Sequence, residues 1–219
     1  FHKDVPFEYI LLVFEAMRQA RQHIYQILTK RARRMFEFFA WWKDKWNKVR
    51  EGVSSVLETF EEWFRHQWGH VWLGVSVEDQ ETADERIPWL LQVPALVRFL
   101  SLEPLLAAVD LTRFLWRRLA LSEWPAAAFD AGATESLERR DPIHQIIAGA
   151  ESGLWARGAN LDDFRSLRDQ CRAAGVAFFM KQLGTVWARA NGGPIKGNDP
   201  AFWPEDLRIR EWPKVATTA

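Results

Sequence analysis

Five short apolar runs, each separated from the next by residues with helical or polar character, constrain this chain more than any other feature. They are HIYQILT at 23–29, VWLGVSVE at 71–78, LVRFLSLE at 96–103, HQIIAGAE at 144–151 and VAFFMKQ at 176–182. Runs of this length, rich in β-branched and aromatic residues, read as buried strands. Strands that alternate with helices build a parallel sheet with crossover helices. The expected fold is therefore α/β, a parallel-stranded partial (β/α) barrel. One domain spans 1–219, with a helical insertion at 32–67 and a C-terminal wrap at 184–219.

Parallel sheets bind ligands at the carboxyl ends of their strands. Those ends carry polar groups here: Lys30, Glu78, Glu103, Glu151, and the pair Lys181 and Gln182. Side chains alternate faces along a strand, so the residue two before each glutamate shares its face. Those residues are Ser76, Ser101 and Gly149, all small. A mouth lined by Glu78, Glu103 and Glu151 over a layer of small residues leaves room for a ligand, a small-molecule cofactor or substrate. Clustered carboxylates can hold a metal, bind an ammonium group or transfer protons. Lys30 and Lys181 would offset their repulsion and meet a carboxylate or phosphate. The plain alternative for each glutamate is an ordinary strand exit into solvent.

The helices are expected as follows. Asp4 caps a helix with Pro6 in its first turn and an apolar face of Phe7, Ile10, Leu11, Phe14 and Met17, ending near Ala20. Thr82 and Glu85 form a T-x-x-E capping box for a helix through Leu91. A further helix spans Leu111 to Leu121, with a polar connection to 140. Asn160 caps LDDFRSLRDQCRAA, which stops at Gly175. In the 32–67 segment, Met35, Phe39, Trp42, Trp46, Val49, Val53, Val56, Phe60 and Trp63 alternate steps of four and three. Gly52 is placed to break that heptad-like stripe into a hairpin. The stripe either packs on the sheet's outer helical layer or offers a surface at 36–67 for a protein partner or self-association.

Charge and cysteine usage narrow the function classes. The chain has 29 basic and 29 acidic residues, so nucleic-acid binding is not indicated except through a local patch. KRARR at 30–34 is one such patch, either a phosphate grip at a helix start or a solvated face. Cys171 is the sole cysteine, which excludes an internal disulfide and an iron–sulfur cluster ligated by this chain alone. It also makes the cytoplasm the expected compartment and a buried structural thiol the expected role. No run approaches the ~18 apolar residues of a membrane helix, so no membrane role is expected. His66 and His70, four apart, have metal-ligand spacing, but the rest of a zinc motif is missing and no metal is expected.

LGVSVEDQ, SLEPLL, AGAESG and FFMKQLG, together with FHKDVP, QILTKR, RSLRDQCRAAGVAFF and WPEDLRIREWP, resemble an uncharacterised phage-associated family whose members look like radical SAM proteins. The resemblance covers most of 1–35 and 70–213. It implies a partial barrel with S-adenosylmethionine at the strand ends and a [4Fe–4S] cluster on a three-cysteine motif. Glu78, Glu103 and Glu151 would then hold the cofactor's amino group or ribose, with Lys30 and Lys181 on its carboxylate or on the substrate. The three-cysteine motif is not in this sequence, so a fragment or truncated form without that chemistry is expected, or a non-catalytic binding module. The family's G-G-E-S-G reads G-A-E-S-G here, and the Ala150 methyl is expected to crowd that turn.

Overall fold

The computed structural model describes residues 1–50, 59–115 and 143–214. Its centre is a five-stranded, wholly parallel sheet: β1 (Tyr25–Thr29), β2 (Val71–Ser76), β3 (Arg98–Leu102), β4 (Gln145–Gly149) and β5 (Ala177–Gln182). Spatial order follows chain order, so each crossover advances the sheet by one strand and never reverses it. The α/β class and all five strands are as the apolar runs predicted. The outer edge of β5 pairs with the tail: Met180 N–H donates to Ile209 O at 2.8 Å and Glu211 N–H to Phe178 O at 2.9 Å.

The sheet has two unlike faces because side chains alternate along each strand. Leu73, Val75, Leu100, Leu102, Ile146, Ala148, Phe178 and Met180 enter the main core with the helices. The opposite face carries a small cluster of Trp72, Val97 and Phe99, against which Leu96 and Ile147 pack. Trp212 from the tail tilts against Trp72 and Phe179. Gly74 makes room on that face, since a Cβ there would lie 2.5 Å from the Phe99 ring.

Seven α-helices lie among the described residues: α1 (Phe7–Gln19), α2 (Ala32–Arg50), α3 (Phe60–Trp68), α4 (Gln80–Leu90), α5 (Thr112–Leu115), α6 (Leu161–Ala174) and α7 (Gly184–Asn191). α6 starts on the Asn160 side chain and ends at Gly175 in a left-handed conformation, both as expected. Two caps differ. Asp4 does not cap α1: the chain first turns through Val5 N–H to His2 O at 3.1 Å, and Pro6 occupies the cap position. The α4 cap lies three residues before the expected Thr82, at Asp79, in a box formed by Asp79 and Thr82. Asp is at least as strong a cap as Thr, so the earlier box prevails. Of the helix expected at Leu111–Leu121, Thr112–Leu115 is seen and Leu111 precedes it; residues 116–121 lie outside the described residues, as do Gly52, Val53 and Val56.

α2 and α3 form the expected pair, and most of their aromatic stripe turns inward. Trp42 packs edge-on against Phe14 of α1, Phe64 and Trp68, and lies parallel to Phe39. Its side of the pair is internal core, continuous with the sheet. Val49 departs from the stripe at 82% exposure. No described helix is long and apolar enough to cross a membrane. Replacing Trp42 by alanine is expected to cost about 3–5 kcal/mol in urea unfolding, as for other buried aromatics. Val49→Ala should stay within about 0.5 kcal/mol.

Candidate functional site

Register decides which strand-end residues meet. Ser76 of β2 pairs with Ser101 of β3, and Ser101 pairs with Ile147 of β4. Two residues further on, Glu78 and Glu103 therefore stand side by side on the face opposite the main core. The β4 residue at their level is Gly149, not Glu151. The pairing of Gly149 with Gln182 across a bulge brings Lys181 to the same level. Lys30 follows β1 one step beyond the Thr29–Val75 pair. The mouth is thus Lys30, Glu78, Glu103, Gly149 and Lys181, over Ser76 and Ser101. Glu151 lies one layer outward. The small-residue layer is also incomplete, since Ile147 rather than Gly149 is level with the serines.

Glu78 is almost wholly buried at 8% exposure. Lys30 Nζ lies 2.5 Å from its Oε1, and Arg86 donates to its Oε2 at 2.8 Å. Arg86 also donates to Ser76 O at 2.9 Å, so one guanidinium binds both the strand end and the carboxylate. The α4 cap supports this from behind: Thr82 Oγ1 accepts the backbone N–H of Glu78 at 3.0 Å. Arg86 was not legible as a partner from strand-end patterning. It sits one turn beyond Thr82, on the part of α4 that passes the end of β2.

Glu103 is held more loosely. Lys181 donates to its Oε2 at 2.9 Å, and Ser101 Oγ donates to the same oxygen at 3.3 Å. Its Oε1 is buried and has no hydrogen-bond partner among the described residues. It lies over Gly149, where a Cβ would come within 2.5 Å of it. Gln182 turns aside and donates to Ala150 O at 2.9 Å. The Ala150 methyl does not crowd the turn, because it faces Gly184, whose missing Cβ would lie 2.9 Å away.

Glu151 has a separate partner. Arg157 meets it with two side-chain nitrogens, Nε and Nη2, at 2.9 and 3.0 Å, and its backbone N–H adds a third bond at 2.9 Å. These bonds hold the Glu151 carboxyl down to about 2. The pair closes its own loop and contributes nothing to the level of Glu78 and Glu103.

The weaker candidates resolve structurally. α3 ends at Trp68, so His66 and His70 do not share a helical face; His70 Nε2 lies 2.8 Å from Met17 O. No group of three or more metal-ligating residues occurs among the described residues. Cys171 is buried on α6, and desolvation pushes its thiol up to about 12. Beside the mouth, Lys30, Arg31, Arg33, Arg34 and Arg86 line a cavity of about 290 Å³.

A family model described as "Protein of unknown function (DUF5131)" matches residues 1–211. The chain belongs to the DUF5131 family. The match spans every strand of the sheet and both glutamates of the mouth. No curated protein and no solved structure matches the chain.

Two predictions follow from the charges. Arg86→Met should destabilise the fold by about 3 kcal/mol, because it strips a buried carboxylate of its inner partner. Lys30→Ala, which removes a solvent-exposed lysine, should cost under about 1 kcal/mol; urea unfolding compares the two. The Glu151 carboxyl should titrate near pH 2 by NMR and return to the ordinary glutamate range in Arg157→Ala. Its folded value is depressed, so the stabilisation it brings is present above the unfolded glutamate range and is lost as pH falls toward 2.

Proposed function

We propose that the mouth of this sheet is a binding site for a small molecule with a zwitterionic amino-acid head, and that the sheet is part of a barrel. The observation that carries the reading is Glu103 Oε1, a buried acceptor with no donor. Leaving such an atom unsatisfied costs about 1–3 kcal/mol, more when charged, and a ligand ammonium would supply the donor. Lys181, more than half exposed, is free to take the ligand's carboxylate while remaining beside Glu103. One ion pair is then exchanged for two. Glu78 is already met by Lys30 and Arg86 and acts as the fixed wall beside Glu103.

Among zwitterions, the strand-end motifs' likeness to radical SAM proteins selects S-adenosylmethionine. The orphan acceptor fits the ammonium of its amino-acid head. S-adenosylmethionine supplies an activated sulfonium; the residues of this chain bind and orient it. The donor set does not fit a [4Fe–4S] cluster. Such clusters take several thiolates, and the one thiol here faces the core on α6. No radical step is derived through this chain, and the reading is that of a binding module.

Calorimetry of the chain with S-adenosylmethionine tests this. Saturable binding is expected for the wild type. Glu103→Gln and Lys181→Met should each weaken it about tenfold or more, since a charge-assisted hydrogen bond contributes about 1.5–3 kcal/mol. Arg157→Ala should leave it unchanged. Absence of binding to the wild type, or equal binding by Glu103→Gln, would contradict the reading.

A further inference from the structure

α2 begins against electrostatic preference. A helix N-terminus carries roughly half a positive charge and favours acidic residues there. The first turn of α2 has no acidic residue, and Arg31, Arg33 and Arg34 surround it. Cations so placed are electrostatically unfavourable. Lys30, from the end of β1, and Arg86, from α4, add to the same place, and all five line the 290 Å³ cavity with Ala32, Glu37, Glu85 and Trp89.

Internal pairing does not neutralise this cluster. Arg33 pairs with Glu37 at 3.0 Å, Lys30 and Arg86 share the carboxylate of Glu78, and Arg86 Nε also lies 3.5 Å from Glu85. Arg34 donates to two carbonyls, His2 O at 3.1 Å and Val5 O at 2.9 Å, and stacks 4.6 Å from the Phe7 ring. Carbonyls orient it without cancelling its charge. The Arg31 side chain makes no hydrogen bond or ion pair among the described residues. Five cations thus face three carboxylates: Glu37, Glu78 and Glu85. Two of the cations, Arg34 and Arg86, are held in place in advance. Thr29 Oγ1 accepts the Arg31 N–H at 3.0 Å, and no side chain accepts from the next three amides among the described residues.

We propose that this cavity binds a phosphate monoester group of a small molecule, with the dianion between the start of α2 and the Arg31 and Arg34 guanidiniums. Arginine forks and free helix amides are the donor set that phosphate oxygens take. A dianion also removes the electrostatic conflict at the helix start. A recess this small, in a chain with balanced charge, suits one terminal phosphate better than a polynucleotide backbone, which needs an extended basic surface. The Trp89 side chain in the wall offers an apolar surface to the rest of the ligand. The site is adjacent to the mouth at Glu103 and does not depend on it.

Calorimetry of the whole chain with inorganic phosphate, adenosine 5′-monophosphate and adenosine tests the proposal. Phosphate and the monophosphate should bind, and adenosine should not. Arg31→Ala, an exposed substitution, should weaken both at least tenfold. Lys45→Ala, an equal loss of charge elsewhere on α2, should leave both within twofold. Glu103→Gln should also bind both as the wild type does, which separates this site from the proposed mouth. Absence of phosphate binding to the wild type, or equal binding by Arg31→Ala, would overturn the proposal. So would single-stranded DNA binding more tightly than the monophosphate with the same dependence on Arg31.

Discussion

The carboxylate of Glu78 ties together the parts of the fold that make a site. Lys30 reaches it from the end of β1, Arg86 from α4, and the Thr82 hydroxyl fixes its backbone. One buried anion therefore sets where two strand ends and a helix start converge. Burying it is tolerable only because Arg86 is itself held on Ser76 O and is only 14% exposed. Both glutamates bury an Oε1 that accepts no hydrogen bond among the described residues, but that of Glu78 has the Lys30 ammonium at 2.5 Å, whereas the Lys181 ammonium lies on the other oxygen of Glu103. The chemistry of the mouth rests on that difference between two neighbouring glutamates.

The two proposed sites divide the charges between them. At the mouth, Glu103 and Lys181 offer one negative and one positive group, which suits a zwitterion. At the start of α2, arginines exceed carboxylates, which suits a dianion. Arg86 and Lys30 stand between the two and serve Glu78 first. A small molecule with an amino-acid head and one with a phosphate group could therefore lie side by side over β1 to β5.

Much of this was legible in the sequence, for identifiable reasons. Five strands could be read because buried parallel strands are continuous apolar runs. α6 could be read because Asn160 and Gly175 give both of its ends. The level of Glu151 could not. Alternation fixes which face a residue takes but not its register against a neighbouring strand, and Gly149 rather than Glu151 stands beside Glu103. The α4 start was read three residues late because Thr82 serves in a box with Asp79 ahead of it instead of with Glu85 behind it. The arginine partners Arg86 and Arg157 were missed because each reaches back across a turn to a carboxylate six or eight residues earlier. The aromatic stripe was read correctly in spacing, and only the fold shows that Trp42 and its neighbours face α1.

The account depends most on Glu103 Oε1 being an acceptor that waits for a ligand's ammonium group. A crystal structure of the chain grown with S-adenosylmethionine tests this directly. The account predicts the ligand's amino nitrogen within hydrogen-bond distance of Glu103 and its carboxylate on Lys181. A ligand bound elsewhere, with the amino group of Lys181 still the sole cation at Glu103, would contradict it.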